Sequence, residues 1–148
     1  MSKQEEAGLI LKLYELRRDE TMRQARDWFF RDFHPESLAD VNDTMMGEHS
    51  GHLRMVMSYW EMAATLVAHG AIDATFFNEA NSEHLTVFAK LEPLLREIRS
   101  SYGAHFMVNL GKLVTETPGA QERLEAVRSR MKAIKAQLKE RASRAAQS

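Results

Sequence analysis

The chain predicts an all-α fold, a single-domain bundle of about six helices. Three observations carry this. Only seven glycines and three prolines interrupt 148 residues. No run of alternating β-branched residues marks a strand. Residues 53–69, LRMVMSYWEMAATLVAH, form a helix that is apolar on three sides. At about 100° per residue, Arg54, Ser58, Glu61, Thr65 and His69 fall within roughly 80° of one another, opposite Val56, Trp60, Ala63 and Val67. Such a helix sits at the centre of the fold, because other helices must cover its apolar sides.

The remaining elements follow in order. Leu9, Leu13 and Leu16, with Ile10 and Tyr14, make the apolar stripe of a first helix ending near Arg17 and Arg18. Asp19 is suited to cap a second helix, which runs through Met22, Ala25, Trp28, Phe29, Phe30 and Phe33 until Pro35 stops it. Pro35 at a first helical position, or Ser37 as N-cap with Asp40 three residues on, opens a short third helix carrying Leu38, Val41 and Met45. Residues 47–51 are the clearest loop. His69-Gly70 closes the central helix, glycine being suited to the left-handed position past the last turn, and Asp73 caps what comes next.

Phe77, Ala80, His84, Phe88, Leu91, Leu95, Ile98 and Tyr102 then recur at a three-four spacing. They predict one long helix ending near Gly103, roughly 40 Å at about 1.5 Å per residue. Pro93 lies inside it and should kink it, because proline lacks an amide hydrogen and crowds the carbonyl of Ala89. Phe106, Leu110 and Leu113 mark a further element, stopped by Thr117-Pro118. The last helix, residues 118–143, carries a narrow heptad seam of Leu124, Val127, Met131, Ile134 and Leu138, and residues 144–148 should fray.

The chain contains no cysteine, which excludes thiolate nucleophiles, disulfides, zinc fingers and cysteine-held clusters. A formal net charge of −1 conceals a segregation. Residues 122–148 hold eight Lys/Arg and three Glu, so a tail of +5 follows a body of −6. The N-terminal residues are acidic and amphipathic, unlike a secretory or transit peptide. The central helix is too short for a membrane span and carries Arg54 and Glu61, so it predicts a core element of a soluble, cytoplasmic protein with no transmembrane segment.

Recognised catalytic patterns are missing. No Glu-x-x-His or His-Glu-x-x-His occurs, and neither does a glycine-rich phosphate loop or a nucleophile elbow. In Glu48-His49-Ser50-Gly51-His52 the flanking glycines favour a solvated loop over a metal site, so no metal and no cofactor is expected. The line of Arg54, Ser58, Glu61, Thr65 and His69 reads either as the floor of a groove for a polar ligand or, more simply, as the one wet edge of a buried helix. His84, on the apolar seam, reads as a base or pH switch, or as a core histidine with one satisfied nitrogen, the commoner case. The basic tail lacks interleaved aromatics, so nucleic acid is not expected as a partner. A neighbouring subunit's acidic surface is a better match.

Two segments, LYELRRDETMRQARDWFFRDFHPESLADV at residues 13–41 and YWEMAATLVAHGAID at residues 59–73, resemble a family of bacterial helical proteins known only as a domain of unknown function. The resemblance implies a bacterial origin and an all-helical fold, and it supplies no catalytic residue. Some relatives carry an apolar anchor ahead of the domain. The expected function is a non-enzymatic interaction or regulatory bundle acting as a homodimer, with a further protein partner. The alternative is a ligand-binding or enzymatic bundle using Arg54, Ser58, Glu61, His69 and His84.

Overall fold

A computed structural model describes residues 2–147, and its regular structure is entirely helical. The elements are α1 (Lys3–Arg17), α2 (Glu20–Arg31), α3 (Leu38–Met46), α4 (Ser50–Ala68), α5 (Ala74–Ala80), α6 (Glu83–Leu91), a 3-10 turn (Glu92–Leu94), α7 (Leu95–Tyr102), α8 (Val108–Glu116) and α9 (Ala120–Gln147). One cluster of buried side chains draws on every helix, from Leu13 to Val127. Among the described residues no helix is long and apolar enough to cross a membrane.

Local chemistry sets the ends of the early helices. Asp19 accepts hydrogen bonds from the amides of Thr21 and Met22, Ser37 from that of Asp40, and Asp73 from that of Phe76. Each is the residue whose side chain the sequence marks as a cap. Gly70 has φ 79°, and the pair Ala71 N–Leu66 O at 2.9 Å and Gly70 N–Val67 O at 3.0 Å closes α4 as a Schellman motif.

Helix α4 is the hub, packed against α2, α3, α6 and α8. Leu53, Val56, Trp60 and Ala63 are fully buried in it. It begins at Ser50, so residues 50 and 51, expected in a loop, form its first turn. The stripe of α1 is only partly covered: Leu13 is buried, whereas Tyr14 and Leu16 are exposed.

The long helix expected over residues 77–102 is instead three helical pieces. At Asn81 the backbone turns extended, with φ −136° and ψ 142°, and the Asn81 side chain donates to Phe77 O at 3.2 Å. The last helical bond, from Asn81 N to Phe77 O at 3.0 Å, is kept, and the side-chain amide adds a second donor to the same carbonyl as the chain turns out of the helix. At Pro93 the helix tightens for one 3-10 turn and continues as α7, which is how the missing amide is accommodated. Gly103 then stops α7 at φ 120°, and a Cβ there would lie 2.9 Å from the His105 ring. Helix α9 continues through Gln147, past the expected end near residue 143, with Arg144 paired to Glu140 one turn back. Ser148 lies outside the described residues.

Candidate functional site

The five polar residues of α4 do not share one environment. Glu61 is half-buried under α8, accepting from Leu110 N at 2.8 Å and Asn109 N at 3.2 Å. Thr65 donates to Glu61 O and accepts from Asn109 Nδ2 at 3.0 Å. Both follow from a local deficit: α8 starts behind Met107, which has φ 52° and no side chain able to cap. Its first amides are therefore satisfied from α4, where a carboxylate also complements the positive end of the helix dipole. Arg54, Ser58 and His69 remain exposed, and Arg54 and Ser58 bond backbone carbonyls of their own helix.

His84 stands apart from that line. It is 1% exposed, wedged between the Trp60 and Phe77 rings, with Nε2 on Asn78 Oδ1 at 3.0 Å and Nδ1 buried without a partner. Burial pushes the imidazole down to about 4, and the charges of Arg123 and Arg17 act in the same direction. It is a neutral ring at ordinary pH. Next to it, Glu83 is held by the Arg26 guanidinium at 2.7 Å and by Trp60 Nε1 at 3.2 Å.

His49 and His52 come together at the start of α4. Their rings are 5.6 Å apart, and His49 stacks on Trp28 at 5.0 Å and 18°. His49 borders a recess of about 570 Å³ that Trp28, Phe33 and Pro35 floor and Asp32, Asp40, Asp43 and Glu48 rim. Among the described residues no group of three or more histidine or acidic side chains is placed to hold a metal ion.

Around the corner from His34, which borders both spaces, lies a larger groove of about 720 Å³. Its walls are Phe30 of α2, His34 just after it, Thr86 and Lys90 of α6, and the α9 seam of Val127, Met131, Ile134 and Leu138. Lys90 closes the bottom. Its ammonium donates to Phe29 O at 2.6 Å, a carbonyl that α2 leaves open at its end, and to Phe33 O at 2.8 Å just beyond the helix. Burial pushes this lysine down to about 8, with Lys135 adding to the effect.

Sequence periodicity did not single out Lys90, which lies off the seam positions Phe88 and Leu91. The available signal was a lone cation inside the run Leu85 to Leu91, where only a partnered one would be buried. The groove exists because α9 is anchored at one end only. Leu124 and Val127 are buried, and Arg128 ties α9 to α6 through Ala89 O at 3.1 Å and to the 3-10 turn through Glu92 at 2.6 Å. Beyond Met131 the seam is uncovered: Ile134 is 56% and Leu138 48% exposed.

The arrangement offers an apolar, cation-flanked helix face beside an acidic, aromatic-floored recess. No curated protein and no solved structure matches the chain. A family model described as a domain of unknown function, DUF4760, matches residues 4–117, which takes in α1 to α8 and stops before α9. By that match the chain belongs to the DUF4760 family.

Proposed function

We propose that this protein is a non-enzymatic interaction module that works as a homodimer, the projecting half of α9 docking on the acidic corner of a second copy. The observation that carries this reading is the α9 seam, which keeps its heptad spacing through Ile134 and Leu138 although both are left uncovered. A solitary helix in water is marginal, and its stability ordinarily comes from packing an apolar face. Arg130 and Lys135 flank that face.

Charge selects the occupant. A second α9 would set basic flank against basic flank. Residues 27–48 instead carry six carboxylates and one arginine, and four of those carboxylates rim the recess beside the groove. Recess and groove meet at His34, so one helix can bury its seam and pair its flanks along a continuous surface. Exchange of α9 in both directions closes a two-fold dimer with no open end.

Light scattering on the full chain tests the reading. The wild type is expected at the mass of two chains, and Ile134→Asp with Leu138→Asp at the mass of one, with helical circular dichroism retained because both positions are exposed. A wild type that stays at one chain's mass at high micromolar concentration overturns it. So does a double variant that remains dimeric.

A further inference from the structure

The junction of α1 and α2 holds a second recess, which meets the α9 groove only at Ser82. Arg17 and Arg18 end α1, Asp19 starts α2 at once, and Arg23 and Arg26 follow one and two turns later, so four guanidinium groups border an opening of about 370 Å³. Opposite them the chain passes through Asn81 and Ser82, where α5 has stopped and α6 begins. The Ser82 hydroxyl makes no capping bond.

The charges in this recess do not balance. Glu83 is the wall's carboxylate, and it is already committed: Arg26 bonds it through Nε and Nη2, at 3.0 and 2.7 Å, and Trp60 Nε1 completes its shell at 3.2 Å. Among the described residues no carboxylate oxygen lies within 4.0 Å of Arg17, Arg18 or Arg23. Among the described residues three cations thus share one concave space without an ion-pair partner, the one carboxylate there being held by Arg26. Like charges gathered this way cost stability unless water or a ligand screens them.

Two of the three are held in place. The Arg17 guanidinium lies 5.2 Å from the Tyr14 ring centre and 5.5 Å from that of Trp60, and Arg18 lies 5.8 Å from Tyr14. Stacking on a ring fixes the plane of a guanidinium and leaves the N–H donors on its edge available. Such forks match the paired oxygens of a phosphate, whose second negative charge also distinguishes it from a carboxylate. The opening is near the low end of small-molecule sites, about 300–1,000 Å³, which suits a phosphate with a compact organic group attached. A nucleic-acid strand fits it poorly, because Tyr14, the aromatic at the mouth, already carries two arginines on its ring.

We propose that Arg17, Arg18 and Arg23 form a binding site for a soluble phosphorylated small molecule, with the Arg26–Glu83 pair as its fixed wall. Calorimetric titration with inorganic pyrophosphate and with glycerol 3-phosphate, at constant ionic strength, tests it on the full chain. One saturable site is expected. Arg18→Ala with Arg23→Ala, both exposed and both free of the Glu83 network, is expected to weaken it at least tenfold. Lys132→Ala with Lys139→Ala on α9 is expected to leave it within twofold, the difference between a built site and a diffuse field. The absence of saturable binding to both probes overturns the proposal, as does equal weakening by the two double variants. Vesicles of phosphatidylcholine doped with phosphatidic acid supply the last arm. Arginine-dependent co-sedimentation with them, without binding of either soluble probe, overturns the soluble ligand in favour of a lipid headgroup.

Discussion

Glu61 sits on the polar line of a buried helix, and its carboxylate serves another helix. Replacing it with alanine strands the amides of Asn109 and Leu110 at the start of α8. The expected loss is about 1–2 kcal/mol in chemical denaturation, the usual cost of removing a cap. Arg54→Ala, on the same line but bonded only to its own helix, should change stability by no more than about 0.5 kcal/mol. Equal effects at the two positions would contradict the capping role. His84 gives a pH-dependent counterpart. The unfolded chain takes up a proton near 6.5 that the folded chain refuses until about 4. Stability contributed by the neutral ring is therefore complete above pH 6.5 and is lost as pH falls toward 4, at about 1.4 kcal/mol per pH unit. Urea midpoints followed from about pH 7 to about pH 4.5 should fall more steeply for wild type than for His84→Gln. Parallel slopes would mean that the ring titrates freely in the folded chain.

Among the elements, helix ends fixed by a local cap were legible in the sequence, whereas the break at Asn81 and the contacts set across space were not. Asp19, Ser37, Asp73 and Gly70 each act within a few residues, and each ends or starts a helix as its chemistry predicts. The break at Asn81 was hidden because Phe77, His84 and Phe88 all reach the core, so the apolar spacing runs through the break as if the helix did. The Asn81-Ser82 pair, two residues that compete for backbone bonds, was the local sign. The partner of Glu61 depends on which helix crosses α4, and no pattern within residues 53–69 contains that. The same holds for Lys90, whose three acceptors lie some sixty residues earlier in the chain, in and just after the aromatic run that ends α2. Lys90→Met keeps the volume but leaves the carbonyls of Phe29 and Phe33 unbonded in the core, and should cost about 1–3 kcal/mol in chemical denaturation. A neutral or stabilising effect would show that water reaches the end of α2.

At the level of the molecule, charge and shape divide the chain into an acidic helical body, which coincides with the family match, and a basic helix that outruns it. That division was readable from the sequence as a −6 body and a +5 tail. What only the structure adds is that the seam of the tail emerges uncovered beside an acidic recess. If the two complement each other between copies, association should weaken as salt screens the exposed charges. Reversing either side should abolish it. The most direct measurement mixes two such variants, Asp43→Lys with Glu48→Lys and Arg130→Glu with Lys135→Glu, and follows mass by sedimentation equilibrium. In a reciprocal dimer each variant alone places like charges at both contacts, whereas one copy of each restores opposite charges at both. The account predicts two monomeric variants that form a one-to-one heterodimer when mixed. Variants that remain dimeric alone, or a mixture that stays monomeric, would contradict it.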